Sequence, residues 1–333
     1  MDREPEELQF LGFFGIYHEA FKIINLRRKL FTKIALTLVL PLSFIFLAHV
    51  QISDAIFAKI DRNEEALDDQ PAAGAAHDQI LKNLSSEWTT FLLFKAAYLV
   101  MVLIFSLLST SAVVYAIACI YSGKDMTYRR IMSVVPKVWK RLMVTFLWMF
   151  AIILGYNFIS ILIIVMIFII LGYGIASLIV MIMVTILFFV GLVYISVIWH
   201  LASVISVLED RYGLSAMEKS KDLIKGKLAV AVAVFIQLSL LYAGIQFLFG
   251  KLVVRREWSG GVGAAVASGL ALVVVLCMWI LLGLVIQTVV YFVCKSYHHE
   301  NIDKSCLSDH LEVYLGEYVP LKDSAVQLEQ FHV

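Results

Sequence analysis

From Leu142 to Leu208 the chain contains no Asp, Glu, Lys or Arg. Charge is scarce throughout, at 16% of residues, whereas 61% are hydrophobic. Soluble domains are about 45–50% apolar, so a single water-exposed fold cannot hide this many apolar side chains. Proline is rare at five residues, leaving long stretches free of helix breakers. The four cysteines, Cys119, Cys277, Cys294 and Cys306, do not form the spaced set of a secreted disulfide framework. The opening MDREPEELQF is acidic and does not read as a secretory signal, so the first span is expected to act as its own insertion signal. A net charge of +1 supplies no global field for nucleic acid, and no basic-aromatic platform for RNA is present. A Walker loop, G-x-S-x-G, H-E-x-x-H and a dinucleotide fingerprint are all missing, so no catalytic residue is assigned and no cofactor is expected.

What remains predicts an all-α, polytopic membrane protein. A hydrocarbon core of ~30 Å needs roughly 20 helical residues. Six apolar stretches reach that length, at about 31–50, 91–120, 142–170, 175–208, 228–250 and 264–294. The uncharged run is too long for one crossing, and Gly172-Tyr173-Gly174 is its natural turn. The plan is six transmembrane helices as three hairpins, each preceded by a cytosolic amphipathic helix. It divides into an N-terminal arm (1–30), a membrane domain (31–294) and a tail (295–333).

Lys and Arg set the orientation. Six lie in the arm through Lys33, six in 121–141, five in 209–227 and three in the tail. The opposite side has three in 51–90, none in the Gly-Tyr-Gly turn and three in 251–263. Both termini are therefore expected in the cytosol. The 51–90 segment is expected to be an acidic lumenal or extracellular loop with a flexible middle at Pro71–Gly74. Asn83-Leu84-Ser85 is a glycosylation sequon within it.

The three cytosolic segments are placed at about 9–29, 126–141 and 216–225. In the first, Phe10, Phe13, Phe14, Tyr17, Phe21 and Ile24 share a face that excludes Glu19. Asp125 would cap the second; Ser215 and Glu218 would form a capping box on the third, with Gly226 as its stop. Arg27, Arg28, Lys29, Arg129, Arg130, Lys137, Lys140 and Arg141 are the candidates for contact with lipid headgroups. The alternative is that these segments pack as elbow helices on the bundle.

Inside the spans, Trp199, Ser203, Ser206 and Asp210 form a polar stripe that should face protein. Glu209 and Asp210 read as a helix exit paired with nearby cations, or as a gate at a cytosolic mouth. His200 reads as a bond to a neighbouring helix, or as a proton relay. Lys95 can snorkel outward. Pro41 should kink the first span. Gly261, Ala265 and Gly269 make a close-packing face. Cys294 with His298 and Cys306 with His310 have i, i+4 spacing that could hold zinc; the alternative is incidental residues in a tail.

The opening MDREPEELQFLG, the stretch WHLASVISVLEDRYGLSAMEKSKDLIKGK and the tail VCKSYHHENID are similar to a plant family of uncharacterised six-span membrane proteins. The resemblance covers nearly the whole chain. Some members are labelled as binding a poly(A)-binding protein, which implies that protein as a partner. The middle stretch more distantly resembles the membrane domain fused to some bacterial glycerophosphodiester phosphodiesterases. Segment 51–90 has no room for their hydrolase barrel, so that activity is not implied. The expectation is a non-catalytic membrane scaffold or adaptor of the ER, Golgi or plasma membrane, contacting lipids and protein partners. The alternatives are a transporter or channel for a small solute, then a lipid-modifying enzyme.

Overall fold

A computed structural model describes residues 5–68, 74–123, 127–172, 174–255 and 261–299. Among these residues all regular structure is helical. A 3-10 turn over Pro5–Phe10 leads into α1 (Phe13–Leu26) and α2 (Arg28–Ile34). A π turn, Ala35–Val39, joins α2 to α3 (Leu40–Asp68). Then follow α4 (Ala75–Tyr121), α5 (Tyr128–Leu171), α6 (Ile175–Leu208), α7 (Leu214–Leu223) and α8 (Leu228–Phe249). A second π turn over Gly250–Val254 precedes α9 (Val262–Tyr297). Among the described residues six stretches are long and apolar enough to cross a bilayer: Arg28–Leu67, His77–Tyr121, Tyr128–Leu171, Ile175–Leu208, Leu228–Val254 and Val262–Tyr297.

Several expected boundaries shift. The 51–90 segment is largely helix, because α3 continues to Asp68 and α4 begins at Ala75. No Gly or Pro interrupts 51–68 or 75–90, and the ends of α3 and α4 hold one another. Asn63 donates to Glu87 at 2.7 Å, and Phe57 meets Trp88 and Phe91 edge-on. Residues 69–73 lie outside the described residues, and Gly74 precedes the first turn of α4. Asn83 is exposed but sits within α4 rather than on a loop.

The segment expected at 126–141 is the first part of α5, which runs unbroken into the apolar stretch past Pro136. Asp125, its expected cap, lies outside the described residues. On α7 the N-cap is Gly213, so Ser215 and Glu218 make no capping box. Pro41 lies just after the Ala35–Val39 turn. A widened turn is one way a helix accommodates a ring that would crowd the Thr37 carbonyl. The Gly172–Gly174 turn is as expected, with Gly172 at φ 62° and Gly174 capping α6. Ala265 is buried, and a Cβ on Gly269 would stand 3.5 Å from Val253, so α9 packs closely there.

Burial is lopsided along the helices. Residues 112–119 of α4, 201–208 of α6 and 285–294 of α9 are buried on every side. These stretches lie at the ends that adjoin the Lys- and Arg-rich segments, here called the basic end. Small residues, including Ala112, Ala116, Ala118 and Ala202, let the backbones approach there. By contrast, the most apolar windows of α5 and α6 are 0% buried. Ile169, Ile170, Ile175 and Leu187 are all at least 70% exposed. A contiguous apolar surface of this kind marks contact with a membrane or another protein.

The turn after α7 is held against the end of α9. His298 bonds the Lys225 carbonyl through Nε2 at 3.0 Å, and a Cβ on Gly226 would fall 2.4 Å from the Tyr297 ring. Gly226 has φ 89°, which costs an L-residue about 1–2 kcal/mol before the clash is added. Gly226→Ala is therefore expected to lower the thermal unfolding midpoint in detergent, whereas Gly244→Ala, with open space around its Cβ, leaves it unchanged or raises it.

Candidate functional site

Two arrangements at the basic end concentrate the polar chemistry. The first is a groove on the outside of the bundle. The α1 helix ends at Arg27, whose N–H bonds the Ile23 carbonyl, and α2 restarts at Arg28. That elbow puts Arg27, Arg28, Lys29 and Lys33 around a cavity of about 430 Å³ closed on one side by Tyr128 of α5. Tyr128 donates to Thr37 Oγ1 at 2.9 Å, tying the start of α5 to the first span. Arg129 and Arg130 follow Tyr128 and are exposed, as are Lys137 and Lys140 further along α5. Arg141 points elsewhere: its guanidinium meets Asp210 at 2.7 Å.

The face of α1 differs from the expected one. Ile16, Ala20 and Ile23 are buried, and so is Glu19, at 1% exposure. Phe14 and Phe21 point away, 84% and 52% exposed, on the same side as His18 and Asn25. Helical period put Glu19 among polar neighbours; packing of α1 on α9 decided otherwise. Tyr17, half-buried, donates to Gln237 of α8.

The second arrangement is inside. Glu209 ends α6 and receives three donors: Tyr291 Oη at 2.7 Å, Lys219 Nζ at 2.8 Å and Lys295 Nζ at 3.1 Å. Burial alone would raise its pKa. The Lys295 charge and the hydrogen bonds from Lys219 and Tyr291 outweigh burial and hold the carboxyl below the usual range. The exit from α6 thus joins α7 and α9 through one carboxylate. Asp210 is 64% exposed and its pair with Arg141 is a surface contact.

Beside the end of α6, the N–H of Gly213, the N-cap of α7, donates to Thr145 Oγ1 of α5 at 2.8 Å. Thr145 shares a 2.7 Å bond with Ser206, which in turn donates to the Ala202 carbonyl at 2.8 Å. Every hydroxyl in that relay has an acceptor. One turn further in, Gln287 of α9 donates at 2.6 Å to both the His200 carbonyl and Ser203 Oγ. His200 Nδ1 lies 3.0 Å from Gln287 Oε1. Ser203 and Ser206 do face protein, at 5% and 0% exposure, and Glu209 and His200 engage separate partners.

Cys294 is fully buried as a free thiol, and His298 bonds a backbone carbonyl. Cys306 and His310 lie outside the described residues. Among the described residues no group of three or more His, Cys, Asp or Glu could hold a metal. Lys95 turns to His49 Nε2 at 2.6 Å and Ser53 Oγ at 3.1 Å. Sequence reasoning passed over Thr145, Lys219, Gln287, Tyr291 and Lys295. Gln287 had a visible signal, as the one amide in the apolar run from Val262 to Val293.

Over residues 1–331 the chain matches the family described as "Domain of unknown function (DUF8558)". No curated protein and no solved structure matches.

Removing the Glu209 carboxylate takes from Lys219 and Lys295 the acceptor they share. Glu209→Gln is expected to cost about 3–5 kcal/mol, the range for breaking a buried pair from one side. Asp210→Asn should cost about 0–1 kcal/mol. The Glu209 pKa is depressed on folding, so its contribution is complete above the free carboxylate value of about 4.3. It is lost as pH falls through the lower folded value. Unfolding midpoints of wild type and Glu209→Gln should therefore converge in acid. Thr145→Val leaves the Gly213 N–H without its acceptor and should cost about 1–3 kcal/mol in the same assay.

Proposed function

We propose that this chain, which belongs to the DUF8558 family, is a multi-pass membrane scaffold or adaptor that binds anionic lipid at its basic end. In this reading the six apolar helices cross as three pairs. Both termini face the cytosol, in the endomembrane system or plasma membrane, where basic segments favour the cytosolic side. The observation that carries the reading is the elbow groove. Arg27, Arg28, Lys29 and Lys33 surround one cavity, Phe21 adjoins it through Asn25 and Leu26, and Phe14 is exposed further back on the same face of α1. Aromatics that sink into the acyl boundary beside cations that meet phosphate suit a helix lying in the interface plane. Each cation near an anionic surface is worth about 1 kcal/mol.

A transport reading asks for a water path along His200, Ser203, Ser206 and Glu209. Those groups are bonded to Gln287, Thr145, Lys219 and Lys295 instead, which supports a packed interior. Cysteine-reagent accessibility through 197–210 separates the two: protection throughout supports the scaffold, and continuous labelling supports transport.

The lipid part is tested on the full chain in nanodiscs of neutral lipid doped with phosphatidylserine or a phosphoinositide, with retained lipid counted by native mass spectrometry. The triple change of Arg27, Arg28 and Lys29 to Ala should remove about 3 kcal/mol, on the order of a hundredfold in affinity for the anionic lipid. Equal retention of neutral and anionic lipid by the wild type contradicts the proposal.

A further inference from the structure

A cavity of about 270 Å³ lies between α6, α8 and α9, remote from the elbow groove and unused by the reading above. It is lined from Ala231 to Tyr242 on α8 and from Val290 back to Trp279 on α9. Eleven steps of 1.5 Å rise make it about 16 Å long. Its wall is almost wholly apolar, and Gly283 contributes no side chain to it. A Cβ there would meet Leu238 only at 4.0 Å, so the space is real rather than closed by a neighbour. His200 and Gln287 line the end nearer the basic segments.

The hydrogen bonds at that end fix the state of the imidazole. The His200 carbonyl can only accept, so the Gln287 nitrogen must face it, as the 2.6 Å contact requires. Gln287 Oε1 is then the atom turned to the ring, and Nδ1 must donate to it across 3.0 Å. A neutral imidazole with its proton on Nδ1 carries a bare lone pair on Nε2. No side chain or backbone group among the described residues donates to that nitrogen. The His200 end of the cavity therefore offers one hydrogen-bond acceptor in an apolar wall, while Ser239 and Tyr242 bring hydroxyls to the opposite end. His200 is eight residues before the end of α6, so the acceptor lies about 12 Å inside the helix terminus.

We propose that this cavity binds a membrane sterol whose hydroxyl donates to His200 Nε2. The occupant must be apolar over most of its length and offer one donor at the His200 end. A phosphate head is excluded by the cost of carrying charge to this depth without a counter-ion. A single narrow cavity fits one body better than two acyl chains. The alcohol satisfies the only unengaged polar atom of the His200–Gln287–Ser203 cluster. Binding would stiffen the contact of α6 and α8 with α9, the helix that also holds the Glu209 partners Tyr291 and Lys295.

The test uses the purified full chain in nanodiscs and two photoactivatable, alkyne-tagged probes: a sterol with a free 3-hydroxyl and its 3-methyl ether. Cross-linked peptides are mapped by mass spectrometry. The free sterol is expected to label 231–242 or 279–290, and the ether about tenfold less, the effect of one hydrogen bond in an apolar site. Gly283→Leu should abolish labelling, and His200→Phe should bring the sterol down to the level of the ether. Three results overturn the proposal: equal labelling by sterol and ether on the wild type, undiminished labelling of a monodisperse Gly283→Leu protein, or displacement of the sterol probe by diacylglycerol at lower concentration than by unlabelled sterol. The first comparison needs no variant, so a substitution that fails to fold does not leave the question open.

Discussion

Inside hydrocarbon a backbone N–H or C=O has no water to bond, and each one left unpaired costs several kcal/mol. That constraint organises this chain. Its apolar stretches run as long helices, and the turns between them fall at glycines such as Gly172 and Gly174 or at short polar segments. The two internal irregularities, at Ala35–Val39 and Gly250–Val254, are π turns that keep the backbone bonded while changing pitch. The same constraint governs side chains. On α5 and α6, Ser160, Thr185 and Ser196 each donate their one hydroxyl hydrogen to the carbonyl four residues earlier, and Asn157 donates one of its two amide hydrogens in the same way. At the basic end the polar groups reach across to other helices instead, as Thr145 does to Ser206 and Gln287 to Ser203.

Two regimes of packing follow. Toward the basic end the helices enclose one another, and α1 and α7 add to that core, so stability concentrates there. Away from it, α5 and α6 contact little beyond each other and present isoleucine and leucine outward. The Glu209 carboxylate sits where the regimes meet water. Half-buried, it fixes the chain's exit from α6 to both α7 and α9.

The sequence made the apolar helices legible because length and absence of charge are enough to identify them. It made the Gly172–Gly174 turn legible for the same reason. It did not reveal that α3 and α4 continue to Asp68 and from Ala75, since composition reads an acidic polar stretch as loop unless pairing contacts such as Asn63 with Glu87 are known. The face of α1 was legible only in part: Phe13, Tyr17 and Ile24 of the expected aromatic face pack against the core while Phe14 and Phe21 point outward, a split that a helical wheel does not resolve. Glu209 was readable as a paired exit, but its partners Lys219 and Lys295 come from elements ten and more than eighty residues away, beyond any local pattern. Gln287 was visible as a lone amide; its pairing with His200 required the fold.

The central claim, that the apolar helices cross a bilayer with the basic segments on one side, is tested most directly by single-cysteine labelling. In a cysteine-free background, Glu65→Cys, Gly172→Cys and Tyr212→Cys are each exposed to a membrane-impermeant maleimide on sealed vesicles of known orientation. The account predicts that positions 65 and 172 react from the same face and position 212 only from the other. Labelling of 172 and 212 from the same face would contradict it.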